Sequence, residues 1–120
     1  MKLDSVVFYS SDIRVIADYY QNRIGLELEY SQGDKYVSFK FENGVRLGIK
    51  RATESREVPG SQTLFVGVED AKAEYDKALD KGLDIHKELA NESWGVEFSV
   101  LDPDGNKIEY LQRKQVSNEI

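Results

Sequence analysis

This chain of 120 residues writes one plan twice, and that repetition limits what it can fold into. Ser5-Val6-Val7-Phe8-Tyr9-Ser10-Ser11-Asp12 and Thr63-Leu64-Phe65-Val66-Gly67-Val68-Glu69-Asp70 each read as a strand ending in an acidic residue suited to cap a helix. Further on, Ile24-Gly25-Leu26 matches Lys81-Gly82-Leu83, a helix stop followed by a strand. Gly44-Val45-Arg46-Leu47-Gly48-Ile49 matches Gly105-Asn106-Lys107-Ile108-Glu109-Tyr110. A unit of strand, helix and three strands therefore occurs twice. Few residues are identical between the halves, so the turns and apolar periods carry the match.

The pattern predicts a strand over 3–9 and a helix over 12–23, with Ile13, Ile16, Ala17, Tyr20 and Ile24 at helical spacing and Gly25 as its stop. Strands follow over 26–30, 35–41 and 45–50, with Glu42-Asn43-Gly44 as a tight turn. The second copy runs as strand 62–68, helix 70–81 with Ala71, Tyr75, Ala78 and Leu79 on one face, strand 83–88, a loop through Asn91, and a hairpin from Val96 to Gln112. Asp102-Pro103-Asp104-Gly105-Asn106 is the turn of that hairpin, Pro presetting one φ and Gly allowing a positive one. The expected organisation is one domain over 1–120, with module one at about 1–50, a charged linker at 51–60, module two at about 61–113 and a polar tail at 114–120.

Alternation along the strands sorts side chains by face. Val37, Phe39, Phe41, Val45, Leu47 and Ile49 go to a core in the first half; Val96, Phe98, Val100, Ile108 and Tyr110 do so in the second. The opposite face receives Tyr36, Ser38, Lys40, Arg46, Gly48 and Lys50 in one copy and Glu97, Ser99, Lys107, Glu109 and Leu111 in the other. Ser5, Val7, Tyr9, Thr63, Phe65 and Gly67 join it from the leading strands. That mixed polar and aromatic face suits a pocket better than a core.

A net charge of −6 argues against phosphate backbones, so no nucleic-acid partner is expected. The apolar run at Leu64–Val68 is too short to cross a bilayer, and no membrane association is expected. With no cysteine in the chain, a cytoplasmic location fits.

The duplicated module, the strand exits at Asp12 and Asp70, Tyr19-Tyr20 ahead of Ile24-Gly25-Leu26, and the hairpin from Trp94-Gly95 through Asp102-Pro103-Asp104-Gly105-Asn106-Lys107-Ile108-Glu109 together resemble the glyoxalase, bleomycin-resistance and ring-cleaving dioxygenase superfamily, the vicinal oxygen chelate proteins. The likeness covers nearly the whole chain. It implies an α+β fold of two tandem βαβββ modules forming a curved, cup-shaped mixed sheet with helices on the outer face, and a homodimer. Enzymes of that superfamily hold a divalent metal at places that fall on Ser5, Gly48, Thr63 and Glu109 of this chain. Of these only Glu109 offers a charged ligand, so neither a metal nor another cofactor is expected.

Glu109 has two readings. One is an ion pair with Arg46, Lys50 or Lys107; the other is a carboxylate that meets a cationic ligand or acts as a base, with Glu97 as a neighbour on its face. His86, the only histidine, reads as a strand residue away from the four ligand places. No nucleophile and base pair is visible, and nothing in the sequence activates Ser5, Ser38 or Ser99. Trp94, Tyr9, Tyr36 and Phe65 read either as packing residues or as aromatic walls, which in the resembling resistance proteins stack on flat drug rings. With Ser38, Arg46 and Glu109 they make the candidate ligand site. The function expected from the resemblance is metal-free binding of an aromatic or cationic drug or metabolite, as in the bleomycin-resistance type. The alternative is a lyase, isomerase or dioxygenase that uses Glu109 as metal ligand or base, and the sequence leaves open whether any reaction is catalysed.

Overall fold

Asp12 and Asp70 both cap helices in the computed structural model, which describes residues 1–114. The Asp12 carboxylate accepts from the backbone N–H groups of Arg14 and Val15 at 3.1 and 3.3 Å, and that of Asp70 accepts from Ala73 at 3.1 Å. Each cap satisfies donors that a helix start leaves without partners. The chain divides into two units, one of residues 1–62 together with 102–106, the other of residues 63–101 and the chain from 107 onward.

In the first unit β1 (Ser5–Ser10) leads into α1 (Ile13–Asp18), and β2 (Glu27–Gln32), β3 (Tyr36–Lys40) and β4 (Arg46–Arg51) follow. The sheet order is β1-β4-β3-β2, with β1 parallel to β4 and the other pairs antiparallel. Ile13, Ile16, Tyr19 and Tyr20 are buried, as are Val37, Phe39, Leu47 and Ile49 of the sheet, as predicted, while Phe41 and Val45, also expected in the core, are only half-buried beside the turn that joins β3 to β4. The helix departs from expectation in its second half. Tyr19–Ile24 is a π-helical turn, closed by Gly25 in the left-handed region at φ 89°. Two successive tyrosines, Tyr19 and Tyr20, are buried at the start of this wider turn.

The second unit repeats the plan with β5 (Thr63–Gly67), α2 (Ala71–Asp80), β6 (Asp84–Glu92), β7 (Gly95–Leu101) and β8 (Lys107–Arg113), in the order β5-β8-β7-β6. Its core is aromatic: Phe98 stacks on Tyr110 at 4.5 Å between ring centres and meets Tyr75 of α2 edge-on at 5.1 Å. Burial lifts the Tyr110 phenol to about 12, with the Glu74 charge adding to the effect. The α+β fold of two βαβββ modules is thus present. Leu79, expected on the inner face of α2, is half exposed, because it lies about 80° round the helix from Ala71, off the stripe of Ala71, Tyr75 and Ala78. The loop expected through Asn91 is strand instead. β6 runs to Glu92, and its register shifts between Ile85 and Lys87 and again between Lys87 and Ala90 hide the alternation that would have marked it.

Residues 51–60 are tied to the first unit. Glu57 is buried and its carboxylate accepts from the Lys50 ammonium at 2.7 Å and from the backbone N–H groups of Thr53 and Glu54 at 2.9 and 3.2 Å. The Lys50 bond above all, then that of Thr53, holds this carboxyl at about 2. The turn 102–106 completes the first unit. Asp102 accepts from the Tyr20 hydroxyl at 2.6 Å, from the Asn106 amide at 2.9 Å, and from the backbone N–H groups of Asp104 and Asn106. Burial, with Asp102 beside it, pushes the Tyr20 phenol far above its ordinary range. No helix is long and apolar enough to cross a membrane among the described residues. The polar tail expected at 114–120 lies outside the described residues beyond Lys114.

Candidate functional site

β7 and β8 place Glu97, Ser99, Lys107 and Glu109 on one face because alternate residues of a strand share a side. Register sets Ser99 directly opposite Glu109, and on the other side of β8 it sets Phe65 beside Glu109. Lys87 and His86 come from β6, where the bulges break the alternation and let two consecutive residues face the same space. Trp94 stands at the entry to β7. The next residue has to be glycine, because a side chain on Gly95 would run into the Gln112 carbonyl, and this close approach fixes where the tryptophan leaves the sheet. These eight residues line a hollow of about 610 Å³ within the second unit, a volume in the range of small-molecule sites.

Charge in the hollow is paired but loosely. The Trp94 indole N–H donates to Glu97 Oε1 at 2.7 Å, although half of the tryptophan is exposed. Lys87 Nζ lies 3.0 Å from Glu92 and 3.5 Å from Glu97 Oε1, and the Glu92 bond in particular holds its ammonium above the usual lysine range. Lys107 Nζ is 3.5 Å from Glu109 Oε2, beyond the 2.7–2.9 Å of a well-formed charge-assisted bond. Glu97, Ser99 and Glu109 are 4, 0 and 3 % exposed. The face assigned from alternation is the observed one, but Glu97, Ser99 and Glu109 on it are buried, not solvated, and only Lys107 is partly exposed. Ser99 Oγ finds no hydrogen-bond partner among the described residues.

Of the residues singled out from sequence, Phe65, Trp94 and Glu109 come together here. Tyr9, Tyr36, Ser38 and Arg46 stand on the sheet of the first unit and are not part of this lining. Tyr36 lies on Gly48, where a side chain would collide with its hydroxyl, and tilts against Tyr30 at 6.3 Å. Ser38 is buried, Tyr9 half-buried, and Arg46 pairs with Glu29 at 2.6 Å and Asp4 at 3.5 Å. Glu109 therefore meets Lys107, one of the three basic partners weighed for it, while Lys50 is taken by Glu57. His86 and Lys87 were missed as site residues because their strand carries the bulges; Glu97, Ser99 and Lys107 were assigned the right face without being assigned to the site.

Residues 2–110 match the Glyoxalase/Bleomycin resistance protein/Dioxygenase superfamily. The chain belongs to this superfamily. No significant match is found among curated proteins. Among solved structures it is similar to an antibiotic-binding protein from Streptomyces sp. CB03234 (TM-score 0.82, 21% identity, covering 95% of this chain and 97% of that one). It is also similar to the bleomycin-binding protein of Streptomyces verticillus, solved with copper(II)-bleomycin (TM-score 0.77, 18% identity, 95% and 98% covered). Lactoylglutathione lyase from Agrobacterium tumefaciens shares the fold as well (TM-score 0.72, 19% identity, 92% of each chain covered).

The resemblance puts the metal ligands of the superfamily's enzymes at Ser5, Gly48, Thr63 and Glu109. Ser5 and Thr63 offer hydroxyls, Gly48 offers no side chain and is roofed by Tyr36, and Glu109 is the one carboxylate. No group of three or more His, Cys, Asp or Glu side chains gathers closely enough to hold a metal ion among the described residues. Neither the pair in the first unit nor the pair in the second offers the imidazole or several carboxylates that a transition metal needs.

Proposed function

We propose that this protein binds a small aromatic molecule, preferably a cationic one, in the hollow of its second module and does so without a metal, in the manner of the bleomycin-resistance type. The observation that carries this reading is the tryptophan. An indole that is half exposed yet fixed by a 2.7 Å bond to a buried carboxylate is a preset stacking surface, with Phe65 and Glu109 lining the same hollow. Aromatic faces attract flat rings and cations alike, and pre-fixing the surface lowers the entropy cost of binding. Two similar structures are named for antibiotic binding, which supports the same class of ligand. A homodimer in the cytoplasm belongs to this proposal; β2, all of whose residues are exposed at the edge of its sheet, offers a second copy a place to attach.

Titration with planar heteroaromatic compounds tests it, since stacking on Trp94 should quench the emission of the only tryptophan. Trp94→Ala should weaken binding by about 0.5–1.5 kcal/mol beyond the lost contact area. A panel that leaves fluorescence and melting temperature unchanged at high micromolar concentration refutes the proposal. Recovery of a chemically altered compound would make the protein an enzyme. One equivalent of a transition metal in the purified protein, lost in Glu109→Ala, would refute the metal-free part, and a monomeric mass in light scattering would refute the dimer.

A further inference from the structure

Ser99 is the least expected member of the hollow. Its hydroxyl is buried and unpartnered among the described residues, and a buried polar group without a bond is costly enough that natural proteins rarely keep one without a use. Directly opposite stands Glu109, whose carboxylate can only accept. Opposed residues on one face of an antiparallel pair have β-carbons about 4.5–5.5 Å apart, so a single nitrogen carrying two N–H bonds can reach both oxygens. The cation now beside Glu109 is the Lys107 ammonium, at a long 3.5 Å and on a side chain that is one-third exposed. A neutral ligand displacing it would leave a buried carboxylate without a counter-charge, which is unfavourable; a cationic one would not.

We infer that Glu109 and Ser99 form a two-point site for a cationic N–H group, a primary ammonium or amidinium on an aromatic ligand, and that Lys107 stands at its Glu109 end alone, as a built-in competitor, until the ligand arrives. This rests on the ligand-binding reading above and sharpens it, because stacking on Trp94 accepts any flat cation while this site accepts only one that can donate.

The test compares two aromatic cations of equal charge, 2-naphthamidinium with N–H groups and N-methylquinolinium without, by calorimetry on the full chain at neutral pH. The amidinium should bind more tightly, on the order of tenfold, the scale of a hydrogen bond to a charged group. Ser99→Ala should raise the melting temperature of the free protein, by removing an unsatisfied hydroxyl, and yet weaken the amidinium about three- to tenfold while leaving the quinolinium unchanged. Glu109→Gln should weaken the amidinium more than Ser99→Ala does, and Lys107→Gln should tighten it. Equal affinity of the two cations in the wild type, a Ser99→Ala variant that melts lower or binds amidinium as before, or no gain in Lys107→Gln overturns the inference while leaving the ligand-binding reading standing. Failure of both cations to bind overturns both.

Discussion

Position for position, the two modules carry different groups on the same lattice. Ser38 faces Gly48 across β3 and β4 as Ser99 faces Glu109 across β7 and β8; Tyr36 occupies the place that Glu97 occupies in the second module, and Val7 that of Phe65. In the first module the tyrosine lies on the glycine and fills the space with a ring that needs no counter-charge. In the second, two carboxylates replace that pair, draw in Lys87, Lys107 and the Trp94 indole, and leave a hollow. Duplication thus supplied one scaffold with two outcomes. A Gly/Tyr pair closes the face; a Glu/Glu pair opens it and makes it chemically demanding.

The comparison is broken most severely at Asp102, the group that ties the first unit together. Asp102→Ala strips a buried acceptor from the Tyr20 hydroxyl, the Asn106 amide and two backbone N–H groups at once, and should cost about 3 kcal/mol or more in chemical unfolding. Next comes the closed face itself. Gly48→Ala should cost about 1–2 kcal/mol, since the new methyl forces the Tyr36 ring aside, and adding Tyr36→Ser should restore most of the loss. If Gly48→Ala is neutral, the first module is not closed by that contact and the contrast fails.

pH separates the units further. The Glu57 carboxyl is held at about 2 against an ordinary 4.5, so its stabilisation is complete above pH 4.5 and is lost as pH falls through 2; Glu57→Gln should flatten the stability curve in that window. The Tyr110 phenol runs the other way. Raised from 10 to about 12, its neutral form stabilises the second unit below pH 10, and that contribution declines as pH rises to 12. Tyr110→Phe should remove its share of the alkaline slope and leave the share of Tyr20, with the smallest effect of the four at neutral pH.

The duplication, the caps at Asp12 and Asp70 and the face of each β7 and β8 residue were legible because each depends on local chemistry or on a period of two. The π-helical turn was not, since the apolar spacing of Ile13, Ile16, Ala17, Tyr20 and Ile24 carries no mark of a single wider turn. His86 and Lys87 escaped for a related reason: a bulge shifts phase, and alternation has no way to register it. The burial of Glu97, Ser99 and Glu109 was hidden because long side chains, Lys87, Trp94 and Lys107, reach over the polar groups, and reach is a property of rotamers.

Asp102-Pro103-Asp104-Gly105-Asn106 looks in sequence like the turn of a hairpin, yet its side chains complete the first unit, with Tyr20 and Asp102 separated by 82 positions. A ribosome makes the tyrosine early and its acceptor late. During synthesis the Tyr20 hydroxyl meets its acceptor only after a further 82 residues have been made, and a fragment cut after residue 62 would lack the turn altogether. The repeated plan suggests two interchangeable halves, but this turn ties completion of the first unit to a segment far along the chain, and residues 1–62 alone lack the acceptor of the Tyr20 hydroxyl.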